Sequence, residues 1–185
     1  TSMRNNMPTN PIYDLKIHPR ENDVIVATHG RGIYVADISA LPQVGMNTLG
    51  HEAYFFQPES KVRWVSGLAN EAASDNFDGE SEPMEIPFYY WLQGNAEGDV
   101  TFEVKQGNVT IATLSGPGDA GLHKVAWNMS RGTQGQAPAA GAQRFGRARA
   151  QPAPIGEYTV VMLVNGQEQM RLVSILKDEW WMMRR

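Results

Sequence analysis

His29 and Arg31 stand in Thr28-His29-Gly30-Arg31-Gly32, between two short apolar alternations. A histidine can carry a proton and an arginine can hold an anion. General acid–base catalysis also needs an orienting carboxylate and a reacting group within hydrogen-bond reach. Asp14 and Asp37 are near in sequence, but no motif places a nucleophile beside them. The two glycines give a simpler reading, because each permits the positive φ of a tight turn. The segment is therefore expected to be a hairpin turn, with binding at the rim of a larger structure as the alternative role of His29 and Arg31.

Other residues of suitable type are scattered. Glu71, Asp75, Asp78, Glu80, Glu82 and Glu85 form an acidic stretch, yet "DNFDGE" lacks the ligand spacing of an EF-hand, so no metal site is expected. Arg144, Arg147 and Arg149 could meet a phosphate or sulfate. Only Phe145 stands among them to stack, and acidic residues outnumber basic ones, 20 to 16, which argues against nucleic acid. Tyr89, Tyr90, Trp91 and Trp127 have the side chains that line sugar sites, although half of the residues in a period-2 strand belong to the core. Tyr90 and Trp91 are adjacent, so one of them must face outward or into an interface. Trp180 and Trp181, in the apolar block at the end of the chain, want a partner surface. Asn108-Val-Thr110 and Asn128-Met-Ser130 match the glycosylation acceptor pattern but fall in expected strands.

Composition narrows the class. Hydrophobic residues make up 42% and charged residues 19%, with 18 Gly and 11 Pro, which is the balance of a loop-rich globular chain. No cysteine is present, so disulfides, thiolate catalysis and Cys-ligated zinc are excluded. No run of about 18 apolar residues occurs, and no membrane-spanning helix is expected. The opening "TSMRNNMPTN" has no signal-peptide pattern and reads as the end of a cut chain. No cofactor motif is visible.

The elements that must position these residues are strands. Period-2 alternation predicts strands at residues 13–18, 23–28 and 32–37, joined by turn formers into a meander that has too little core alone. After a change of composition at residues 39–45, further strands are expected at residues 52–56, 61–65, 86–93, 99–106, 108–114, 122–129, 156–165 and 168–176. Asn165-Gly166-Gln167 is expected as the turn between the last two strands, a strong hairpin signal. The predicted fold class is all-β: a meander with its linker over residues 1–45, then an antiparallel β-sandwich of about seven strands over residues 46–177. A long Ala/Gly/Pro/Gln/Arg loop is expected over 132–154, and Asp178 is a candidate N-cap for a short tail at 178–185.

The meander carries the most specific signal. Asp14, Leu15, His18, Pro19, Arg20, Asn22, Asp23, Thr28, His29, Gly30, Arg31, Gly32 and Asp37 resemble the end of the propeller in bacterial sortilin-like proteins of the Asp-box (bacterial neuraminidase repeat) class. Those proteins are often labelled glycosyl hydrolases. Gly121, Val125, Trp127, Gly156, Tyr158 and Val160 are similar to the Ig-like or fibronectin-like sandwich that follows the propeller there, and to the sandwich of the flagellar hook-assembly scaffold protein. No Asp-box itself is present, and no carboxylate pair is set for acid and nucleophile roles.

The resemblance implies a non-catalytic C-terminal segment of a larger exported protein, periplasmic, cell-surface or extracellular. Its first partner would be the remaining propeller, and its ligand a glycan or a protein. Two alternatives follow from the same resemblance. The parent could be a glycoside hydrolase with His29 and Arg31 at the propeller face, or a sortilin-like module that binds peptides, with Trp180 and Trp181 at the interface.

Overall fold

A computed structural model describes residues 7–19, 21–64, 83–134 and 151–179. The chain is all-β and divides into two compact units, Thr1–Gly45 and Met46–Arg185.

The first unit is an antiparallel meander of β1 (Ile12–Ile17), β2 (Asp23–Thr28) and β3 (Ile33–Asp37), followed by a 3-10 turn at Leu41–Gln43. Directly opposed residues share a face of a sheet. Leu15, Val26 and Tyr34 therefore form one row, and Ile17, Val24 and Ala36 the next. The other face carries Ile25 with Val35 and Ala27 with Ile33. Both faces are thus rich in apolar side chains. Leu15 stays 52% exposed on one face and Ile33 70% on the other.

The second unit opens with a short helix, α1 (Met46–Leu49), and then folds as two packed sheets. The smaller has the order β4-β6-β9, from β4 (Ala53–Phe55), β6 (Ile86–Leu92) and β9 (Gly121–Trp127). The larger has the order β10-β8-β7-β11-β12-β5. Its strands are β5 (Lys61–Arg63), β7 (Val100–Gln106), β8 (Val109–Gly116), β10 (Gly132–Gln134), β11 (Gly156–Val164) and β12 (Gln167–Lys177). The chain crosses between the sheets from β4 to β5, β5 to β6, β6 to β7, β8 to β9 and β9 to β10, whereas β7–β8 and β11–β12 pair within the large sheet.

Alternation along the strands builds the core. Ile86, Phe88, Tyr90 and Leu92 of β6 point inward against Val100, Phe102 and Val104 of β7. Phe55, Phe88 and Phe102 meet edge-on or tilted, with ring centroids 5.4–6.0 Å apart. Each fully buried side chain of this size contributes about 1.5–3 kcal/mol by leaving water. Trp127 closes one end of the core: its ring meets Tyr158 at 5.3 Å, and its Nε1 donates to the Ser130 carbonyl at 3.0 Å. Tyr158 Oη donates to the Pro154 carbonyl, the tyrosine corner of this sandwich type.

The strand ladders of the core are antiparallel, but the two short edge strands run parallel to their neighbours, β5 beside β12 and β10 beside β8. With β5 in the strand expected over residues 61–65 and β10 unexpected, the sandwich has nine strands among the described residues, where about seven were expected. β10 occupies the first three residues of the stretch read as a loop over 132–154. Both ends of that stretch are fixed. Arg131 N donates to the Gln151 carbonyl at 2.8 Å and Ala153 N to the Met129 carbonyl at 2.9 Å. The Arg63 guanidinium reaches the carbonyls of Ala153, at 2.5 Å, and Met129, at 3.1 Å.

Candidate functional site

The turn that holds His29 and Arg31 is built by its neighbours. Gly30 and Gly32 have φ of +72° and +87°, which only glycine takes without strain. Thr28 closes the turn twice on the Gly32 carbonyl, through its amide at 3.1 Å and its Oγ1 at 2.8 Å. His29 N donates to the Pro11 carbonyl at 3.0 Å, and its ring tilts over Tyr13 with centroids 5.2 Å apart. His29 and Arg31 are both exposed, and no carboxylate among the described residues forms an ion pair with either.

The rest of the motif is also engaged in turn geometry. Asp14 Oδ1 accepts from Leu15 N at 2.9 Å, and His18 Nδ1 accepts from Glu21 N at 3.1 Å. Asp37 Oδ1 accepts from Ser39 N at 2.8 Å. Such local bonds to the main chain are what short polar side chains supply at strand ends. Among the described residues, Asp14, His18 and Asp37 thus each bond the main chain within three residues of themselves.

The aromatic residues separate cleanly. Tyr90 and Trp127 are buried in the core, whereas Tyr89 and Trp91 lie on the outer face of the small sheet. The register places Tyr54, Trp91 and Leu122 in one row across β4, β6 and β9, and Tyr89 beside Lys124 in the next. His51 stacks on Tyr54 at 5.8 Å and extends the row. Lys124 Nζ lies 6.0 Å from the centre of the Tyr89 ring and 3.6 Å from Glu85 Oε1. The Trp91 Nε1 donor is buried and has no acceptor among the described residues. This outer face thus combines flat rings with the Lys124–Glu85 pair, and the Arg171 guanidinium lies 5.5 Å from the centre of the Tyr54 ring.

One polar group gathers at the β8–β9 end of the sandwich. His123 Nε2 lies 2.6 Å from the Asp119 carbonyl and 3.8 Å from its carboxylate, and the His123 ring packs on Tyr90 at 5.3 Å. Tyr90 Oη donates to the Pro117 carbonyl at 2.7 Å. Burial, with the Asp119 and Asp99 carboxylates nearby, pushes the Tyr90 phenol far above its ordinary value. It stays protonated at neutral pH and serves as a donor within the loop. A Cβ at Gly116 would overlap Tyr90 Oη and Val125 Cγ2, so the loop packs tightly on this ring.

No group of three His, Asp or Glu side chains that could hold a metal ion occurs among the described residues. No helix among them is long and apolar enough to cross a membrane. Arg144, Arg147, Trp180 and Trp181 lie outside the described residues, as does the acidic stretch except Glu85. The sequence left open which of Tyr90 and Trp91 faces outward. The burial phase of β6 decides it, set by Phe88 and Leu92 on the same side as Tyr90. No protein-family model matches the chain, and no curated protein is detectably similar to it.

Proposed function

We propose that this chain is a non-catalytic segment from the C-terminal part of a larger exported, sortilin-like β-propeller protein, in which the sandwich has a structural or ligand-binding role. The observation that carries the reading is the meander of the first unit, whose two faces both present exposed apolar rows. A propeller blade needs that pattern, because it is covered by a neighbouring blade on each side. The resemblance of Asp14 to Asp37 to the last blade of such proteins supports the same reading. The engagement of the motif's polar atoms in local turns supports a structural role for it.

The intact mass of the natural polypeptide tests the proposal. A mass several times 20.5 kDa is expected, with these residues near its C-terminal end. A natural polypeptide of 20.5 kDa would contradict it.

A further inference from the structure

The sequence holds a single Asn-Gly step, Asn165-Gly166. It forms the tip of the β11–β12 hairpin, just beyond the last ladder pair, Val164 with Gln167. Both residues have positive φ, +47° and +75°, and Asn followed by Gly meets that demand of a two-residue hairpin loop best. The same choice sets a peptide nitrogen with no side chain on its residue next to a carboxamide.

Three observations leave this pair open to reaction. Both residues are exposed. A Cβ built on Gly166 would meet no atom within 4 Å, so no neighbour crowds its peptide nitrogen. That nitrogen lies beyond the ladder, and no main-chain acceptor among the described residues holds it. The carboxamide itself is tethered by Glu97 N, which donates to Asn165 Oδ1 at 2.9 Å. Asn95 and Asn128 also accept from main-chain amides, of Ala120 and Ser130, but each is followed by a residue with a side chain, which hinders attack by the next nitrogen.

We propose that Asn165 is a site of spontaneous deamidation in the folded protein. The Gly166 nitrogen attacks Asn165 Cγ and a C–N bond forms, while the carboxamide nitrogen leaves as ammonia and carries away the proton lost by Gly166. Water then opens the five-membered imide at either carbonyl. Opening at Cγ gives aspartate in the original main chain. Opening at the α-carbonyl gives isoaspartate, whose main chain runs through the side-chain carbons and is one atom longer. The two products fare differently in this hairpin. Aspartate keeps an oxygen for the Glu97 amide and strengthens that bond by its charge. Isoaspartate lengthens a loop whose length fixes the register of the strands it joins.

Peptide mapping tests this on the folded 185-residue chain held in warm, mildly alkaline buffer, beside a synthetic peptide of residues 160–172. The peptide that spans Asn165 is expected to gain the mass of OH for NH2 ahead of every other asparagine peptide, and to become a substrate for isoaspartyl methyltransferase. Hydrogen exchange of the isoaspartate form, separated by chromatography, should show β11 and β12 losing protection beside the turn. Asn165→Asp should keep both the protection and the thermal melt of the unmodified chain. An Asn165 that stays amidated in the folded chain until the synthetic peptide has fully converted would overturn the proposal, as would conversion spread evenly over the asparagines. Isoaspartate formed with no loss of protection would overturn the predicted damage to the hairpin.

Discussion

The carboxamide of Gln169 replaces a missing strand for Phe55: its Oε1 accepts from the Phe55 amide at 2.9 Å while its Nε2 donates to the Ala53 carbonyl at 2.8 Å. A side chain from the large sheet thereby completes the edge of the small one. Gln57 Nε2 reaches back to the Leu172 carbonyl at 2.6 Å, and Ser174 N donates to Ser60 Oγ at 3.2 Å. The chain crosses between the sheets from β4 to β5 along this seam.

Gln169→Ala should lower stability by about 1–3 kcal/mol, because it leaves two part-buried main-chain groups without partners. Gln169→Glu should cost a similar amount, since a carboxylate can accept from Phe55 N but cannot donate to Ala53. Urea denaturation followed by tryptophan fluorescence reads both, with an unchanged slope expected.

Stability should also fall at alkaline pH through Tyr90 and Tyr158. Burial raises both phenols above their ordinary value, reinforced at Tyr90 by Asp119 and Asp99 and opposed at Tyr158 by Arg63 and Arg131. The unfolded chain then gives up these protons at lower pH than the folded one. The stabilisation is complete below the unfolded phenol pKa and is lost as pH rises through the folded values. Tyr90→Phe should flatten the decline above about pH 10 in a series of denaturant melts.

Phe88 and Trp91, on opposite faces of β6, should respond very unequally to substitution. Phe88→Ala opens a cavity beside Phe55, Phe102 and Trp127 and should cost about 3–5 kcal/mol. Trp91→Phe removes an indole donor that has no acceptor, which offsets the lost contact area, so a change within about 1 kcal/mol is expected. Thermal melts of the two variants provide the comparison.

Much of the fold was legible where alternation is long. β2 occupies the six predicted residues, and the turn expected at Asn165–Gln167 forms one residue tighter, as Asn165-Gly166 with φ of +47° and +75° and with Gln167 already in β12. Period 2 also identified the strands that contribute Phe88, Phe102 and Val160 to the core. β5 falls in the strand expected over residues 61–65, whereas β10 was missed, because three residues of an Ala/Gly/Pro-rich stretch carry too little periodicity to reveal a strand. Gln169 bonding to β4, 114 residues away from Phe55 in sequence, leaves no local trace at all. The motif around His29 was legible as a turn, but the local bonds of Asp14, His18 and Asp37 required coordinates.

Amide hydrogen exchange of the 185-residue chain, compared with the larger polypeptide proposed to contain it, tests the central claim most directly. The claim is that the sandwich is complete in itself while the meander belongs to a larger sheet assembly. Amides of β6, β7 and β11 should be strongly protected in both samples, and those of β1 to β3 protected only in the larger polypeptide. Equal, strong protection of β1 to β3 in the 185-residue chain would contradict the account.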